Sequence, residues 1–95
     1  MHWPFSNRPD VATFTSKDVV EGAWIHYVSH DKEDGAWQFL SENGAPSAES
    51  DARIVLLKNI VQLDPSIEKL ADLPLGWIAW RNTKEGEWKR RPKEQ

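Results

Sequence analysis

Three kinds of residue in this chain could do chemistry, and their spacing limits each of them. His26 and His30 stand four positions apart in Ala23-Trp-Ile-His-Tyr-Val-Ser-His30, a stretch whose period of two reads as a strand. Along a strand that separation is roughly 13 Å, too far for two ligands on one ion, so no metal site is expected. None of the seven serines sits in a Gly-x-Ser-x-Gly elbow, and Ser16 and Ser66 are better read as helix-start residues. No Gly-rich loop opens a helix, so nucleotide binding has no support. Carboxylates are the remaining candidates. Asp31, Glu33 and Asp34 share the five-residue connection Asp31-Lys-Glu-Asp-Gly35, and Glu42 follows the next strand. Water would keep such turn carboxylates ionised, which suits recognition of a basic partner better than acid–base catalysis. The sequence therefore predicts a partner-binding patch at Asp31, Glu33, Asp34 and Glu42, with no catalytic residue, no metal and no cofactor.

Charge along the chain fits that expectation. The net charge is −3, which does not favour nucleic acid as the main partner. Residues 31–51 hold six carboxylates against Lys32 alone, whereas residues 81–95 hold six Lys and Arg against three Glu. The basic run Lys89-Arg-Arg-Pro-Lys93 beside Trp88 could contact phosphates and stack a base, a weak nucleic-acid signal. There is no cysteine, so neither a disulfide framework nor thiolate chemistry is available. The first residues lack an apolar run of signal-peptide length, and no stretch approaches the ~20 apolar residues of a membrane span. These features lead to the expectation of a cytoplasmic protein without membrane contact.

The elements that must carry these residues read as one small domain, since 95 residues leave room for one core. Residues 1–10 look like a loosely docked arm that Trp3 and Phe5 could anchor. Residues 11–90 form the domain, and 91–95 a frayed charged tail. Within the domain, 11–15 is a short strand, followed by a helical turn at 17–21. Residues 23–30 and 36–42 form a hairpin around the acidic turn. A helix is predicted from about 51 to 63, with Ile54, Leu56, Leu57, Ile60, Val61 and Leu63 on one side. Asp64-Pro65 starts a second helix, burying Ile67, Leu70 and Leu73, that ends at Pro74. Trp77–Thr83 is a strand with Trp77 and Trp80 on opposite faces, and 87–90 is a last short strand. The fold class is α+β: a mostly antiparallel sheet of about four to five strands with two helices packed on one face. Trp37 and Ile60 should be buried.

Beyond this residue-level reading, the order of several short blocks carries a resemblance. They are Ser16-Lys17-x-Val19, Tyr27-Val28, Trp37-x-Phe39-x-Ser41, and Asp64-Pro65-Ser66-Ile67 with Leu70, Pro74-x-Gly76 and Arg81. Over roughly residues 12–81 the chain resembles bacterial immunity protein family 33, formerly a domain of unknown function, linked to contact-dependent and polymorphic toxin systems. It departs from the family at Ala36, where Gly is usual, and at Glu42-Asn43-Gly44, where Gly with acidic residues is usual. The resemblance implies a non-enzymatic bacterial protein that binds and neutralises a cognate toxin, and the acidic 31–51 segment suits a basic toxin domain. Two other expectations stand beside it: a regulatory or housekeeping protein-interaction domain, and a weak nucleic-acid binder acting through the basic C-terminus.

Overall fold

The computed structural model describes residues 3–46 and 48–93. Six strands form one sheet: β1 (Ala12–Ser16), β2 (Tyr27–His30), β3 (Trp37–Leu40), β4 (Ala52–Leu56), β5 (Trp77–Trp80) and β6 (Lys89–Pro92). Their order is β4-β1-β3-β2-β5-β6. The β2–β3 hairpin forms as expected, with Val28 opposite Phe39 and His30 opposite Trp37. Its turn closes through Asp31 N–H to Ala36 C=O and Gly35 N–H to Asp31 C=O. Gly35 takes a φ of 73° there, a left-handed conformation that a residue without Cβ adopts at no steric cost.

The sheet is mixed rather than uniformly antiparallel, and it has one strand more than the upper expectation. β1 runs parallel to β3, and every other pairing is antiparallel. The additional strand comes from the predicted 51–63 helix. Ala52–Leu56 is β4, paired along its whole length with β1, and only Leu57–Leu63 is helical, here α2. An apolar run such as Ile54-Val-Leu-Leu57 fits either period, and β-branched residues suit a pleat. The choice is tertiary: without β4, one edge of β1 would have no ladder partner.

Other boundaries also moved. β2 begins at Tyr27 rather than Ala23, because the Ile25 carbonyl is taken by the Arg81 side chain instead of a neighbouring strand. A one-turn helix α1 (Lys17–Val20) follows β1 as expected. The Asp64-Pro65 start is present, but the segment it opens, Pro65–Leu70, is a 3-10 helix. β6 extends through Pro92, so Arg91 and Pro92 belong to the sheet rather than to a frayed tail. Residues 94–95 of that expected tail, residues 1–2 of the arm and Ser47 lie outside the described residues.

One face of the sheet is covered. Val28, Trp37, Phe39 and Ala79 from the strands form a single buried cluster with Val19 of α1, Leu57 and Ile60 of α2, and Ile67 and Leu70 of the 3-10 helix. Both expected helical segments thus pack on the same face, and Trp37 and Ile60 are buried as expected. Two threonines share this face without leaving an unpaired hydroxyl. Thr13 Oγ1 donates to Val55 C=O (2.7 Å) and Thr15 Oγ1 to Phe39 C=O (2.6 Å), each reaching a neighbouring strand. The arm is docked here rather than loose. Phe5 is buried and meets the Trp37 ring edge-on at 5.5 Å. Asn7 then accepts the indole N–H of Trp37 on its side chain and that of Trp3 on its backbone carbonyl.

Candidate functional site

Three regions gather the residues that chemistry or recognition could use. The first centres on Arg81, which leaves β5 at its C-terminal end and is only 2% exposed. Its Nε donates to Ile25 C=O (2.8 Å), Nη1 to Ser66 Oγ (2.9 Å), and Nη2 to Asp64 Oδ2. Ser66 Oγ in turn donates to Asp64 Oδ1 (2.6 Å), and Asp64 also accepts the Ser66 amide, capping the 3-10 helix. The guanidinium lies 4.3 Å from the Trp88 ring centroid and 5.7 Å from that of Trp24. The Asp64-Pro65-Ser66 block and Arg81 are therefore one unit, joining the 3-10 helix to β5 and to the segment before β2.

A hollow of about 500 Å³ opens beside this unit, with Trp24, Lys69, Lys84, Glu85 and Trp88 among its walls. It offers little chemistry. The buried guanidinium presents almost no surface to it, and its charge is already matched by Asp64. Trp88 Nε1 lacks a hydrogen-bond partner among the described residues, but it has essentially no accessible area through which a ligand could reach it.

The second region surrounds Asp18. Ser16 and Ser41 donate their hydroxyls to its two carboxylate oxygens, and Asn43 Nδ2 donates at 3.1 Å. The Ser16 hydrogen bond, followed by that from Ser41, lowers the Asp18 pKa to about 2 against a smaller opposing effect of burial. Two serines and a carboxylate invite a nucleophile reading, but both hydroxyl protons are committed to a carboxylate held too acidic to act as a general base near neutrality. The cluster ties α1 to the end of β3. Ser41, the last residue of the Trp37-x-Phe39-x-Ser41 block, is thus explained as a joint.

The third region is the other face of the sheet, against which no helix among the described residues buries a side chain. Strand alternation places Phe14, Ile54, Gln38, Leu40, Tyr27, Ser29, Ile78 and Trp80 there. Phe14 and Ile54 are 44% and 70% exposed. Two shallow hollows on this face share Gln38 and Leu40. One is also lined by Asp31, Asp34 and Phe14, the other by Glu42, Tyr27 and Lys93. Three of the four carboxylates expected to bind a partner thus gather on one surface, while Glu33 stays outside both hollows.

These four carboxylates are not equivalent. Asp31 accepts from Ser29 Oγ (3.0 Å) and Gln38 Nε2 (2.8 Å), so it fastens the open face. Asp34 accepts the Ala36 amide (2.9 Å) and shapes the turn. Folding thus makes use of both of these turn acids, in addition to any part they have in recognition. Glu33 and Glu42 are exposed and have no hydrogen-bond or ion-pair partner among the described residues. Sequence reading overlooked the Asp18 cluster and the Asp64–Arg81 pair as units, because their members lie 23 and 17 positions apart.

The remaining candidates have structural roles. His26 Nδ1 lies 2.6 Å from Arg81 C=O and His30 Nδ1 2.7 Å from Leu73 C=O. A carbonyl only accepts, so each Nδ1 carries its proton. His30 also stacks on Trp37 at 4.0 Å. No group of three or more potential ligands for a metal ion occurs among the described residues. The basic run lies in β6, where Arg90 binds Asp72 and the Lys69 carbonyl. One side of Trp88, the expected base-stacking ring, is covered by Arg81. No helix of the described residues is long and apolar enough to cross a membrane. Compared with protein-family models, curated proteins and solved structures, the chain finds no match among them.

Proposed function

We propose that this chain is a non-enzymatic protein-binding domain of the immunity type, which neutralises a toxin by occupying it through the open face of the sheet. The observation that carries this reading is the placement of Asp31, Asp34 and Glu42 around a face of the sheet that bears the exposed Phe14 and Ile54 and the half-buried Tyr27. An apolar centre with charged groups at its border is the usual anatomy of a protein interface. Acidic border groups would accelerate encounter with a basic toxin domain. The residues shared with immunity protein family 33 support the same reading indirectly. Asp64, Ser66, Arg81, Ser16 and Ser41 hold elements together, leaving the exposed face to select the partner. On this proposal the protein acts in the cytoplasm of the cell that makes the toxin.

Co-expression with the toxin encoded beside its gene tests the proposal. Growth should be rescued and a complex recovered, and Phe14→Asp should abolish both without unfolding the protein. A chain that neither rescues growth nor binds the toxin would sink the reading. It would leave the regulatory interaction module as the alternative, with the basic strand as a nucleic-acid contact ranking behind it.

A further inference from the structure

Four asparagines occur in the chain, and only Asn43 is followed by glycine. An asparagine side-chain amide is open to attack by the backbone nitrogen of the next residue. A following glycine neither blocks that approach nor restricts the backbone rotation it needs. The other three asparagines are hindered. Asn59 lies in α2 before the buried Ile60, and Asn82 precedes the β-branched Thr83. Asn7 is fastened by the Trp37 indole and precedes the long side chain of Arg8. Asp34-Gly35 shares the glycine, but an ionised carboxylate resists nucleophilic attack far more than an amide does.

Asn43 and Gly44 are exposed in the loop that follows β3. Gly44 has a φ of 80°, and a Cβ placed there would meet nothing within 4 Å, so the turn has room to rearrange. Three hydrogen bonds hold it in its present form. Asn43 Nδ2 donates to Asp18 Oδ2 (3.1 Å), the Asn43 amide to Ser41 Oγ (3.2 Å) and the Gly44 amide to Ser41 C=O (2.9 Å). The first ties down the group that would leave, and the last ties down the nitrogen that would attack. A reactive pair is thus held apart by the same cluster that joins α1 to the end of β3.

We infer that Asn43 is a site of spontaneous deamidation, its rate set by the Asp18 cluster and its product loosening that cluster. Gly44 N attacks Asn43 Cγ, the Cγ–Nδ2 bond breaks, and ammonia leaves with the proton of the Gly44 amide. One water then opens the five-membered imide at either carbonyl, leaving aspartate or isoaspartate at position 43. In the native chain this step waits for the turn to open, so its rate tracks the population of the open form. The product replaces a donor to Asp18 with a second carboxylate beside it, and like charges so close repel. Isoaspartate also adds a methylene to the backbone and displaces the turn. The change reaches the open face, because Gly44, Ala45 and Pro46 help to line its two hollows. The inference does not depend on the toxin reading.

Ageing the full chain in mildly alkaline buffer beside a peptide of residues 41–46 tests it, followed by peptide mapping with mass spectrometry and by ion exchange. Acid should appear at position 43 before positions 7, 59 and 82, as two products, with the chain gaining one negative charge beyond −3. The native chain should convert roughly ten- to a hundredfold more slowly than the peptide, since the turn must first open. In denaturant the two rates should agree. Asn43→Asp should melt below Asn43→Ala, because it adds repulsion by Asp18 to the loss of one hydrogen bond. Earlier conversion at another asparagine overturns the site, as does an intact Asn43 in the native chain after well over about a hundred peptide half-lives. A native rate equal to that of the peptide, or a denatured rate below it, overturns control by the cluster. Asn43→Asp melting at or above Asn43→Ala overturns the loosening by the product.

Discussion

The covered and open faces of the sheet are built from the same six strands, one alternate set of side chains on each, yet the two are held by different forces. On the covered face Trp37, Phe39, Val28 and Ala79 are buried against helices, and the buried threonines find carbonyl partners on the next strand. On the open face Asp31 is held by Ser29 and Gln38, while Phe14 and Ile54 remain in water. Burial makes the first face the source of stability, because apolar area removed from water is the main favourable term in folding. At its exposed positions, Phe14 and Ile54, the second face adds little to stability. Surfaces that bind differ from cores in this respect.

Substitutions on the covered side should have the largest effects. Arg81→Ala should cost about 3–5 kcal/mol, since it removes a buried charge partner from Asp64, a donor from Ile25 C=O and the packing between Trp24 and Trp88. Chemical denaturation would measure this, and a loss under ~1 kcal/mol would mean that the cluster is not a joint. Ile60→Ala should cost about 2–4 kcal/mol by opening a cavity beneath the sheet. A loss under ~1 kcal/mol would mean that α2 does not seat Ile60 against the strands.

Acid should have an effect of intermediate size. The folded-state pKa of Asp18 is lowered to about 2 from 3.8, so the unfolded chain binds this proton more readily. The associated stability is fully present above about pH 4 and is lost as pH falls toward 2, amounting to about 1–2 kcal/mol for this partly buried group. An Asp18→Asn variant should lose this part of the acid sensitivity. An unchanged acid profile in that variant would remove Asp18 from the account.

On the open face, stability and binding should separate. Phe14→Ser and Ile54→Ser should each change stability by only about 0.5 kcal/mol, as exposed positions usually do. A melting shift as large as that of Ile60→Ala would show that the open face is a second core. Smallest of all, Glu33→Gln with Glu42→Gln should leave the melting temperature unaltered. It should slow association with a basic toxin about two- to fivefold at low salt, an effect that fades as salt is raised. Association rates that do not respond would leave these two carboxylates as solvated surface.

Much of this arrangement was legible in the chain. The hairpin around Asp31–Gly35 announced itself by alternation and turn residues, and Asp64-Pro65 by its capping chemistry, because both signals are local and act within a few residues. Burial of Trp37 and Ile60 followed from their positions on apolar faces. Ala52–Leu56 was misread because an apolar run is compatible with two periods, and only the ladder partner in β1 decides between them. The parallel pairing of β1 with β3 was equally invisible, since it joins strands separated by the whole of β2.

The candidate site divides along the same line. The sequence by itself determined that Asp31, Glu33, Asp34 and Glu42 are carboxylates flanking one strand. Tertiary structure alone decided that Asp31 would be fastened to Gln38, that Asp34 and Glu42 would border one uncovered face, and that Glu33 would stand apart. It also decided that Arg81 would close on Asp64 and Ser66, and Asp18 on Ser16 and Ser41. Local propensity acts through neighbouring residues and can be read in order along the chain. A buried charge or an uncovered face depends on which distant segments pack together, and that is fixed only when the sheet and its helices close on one core.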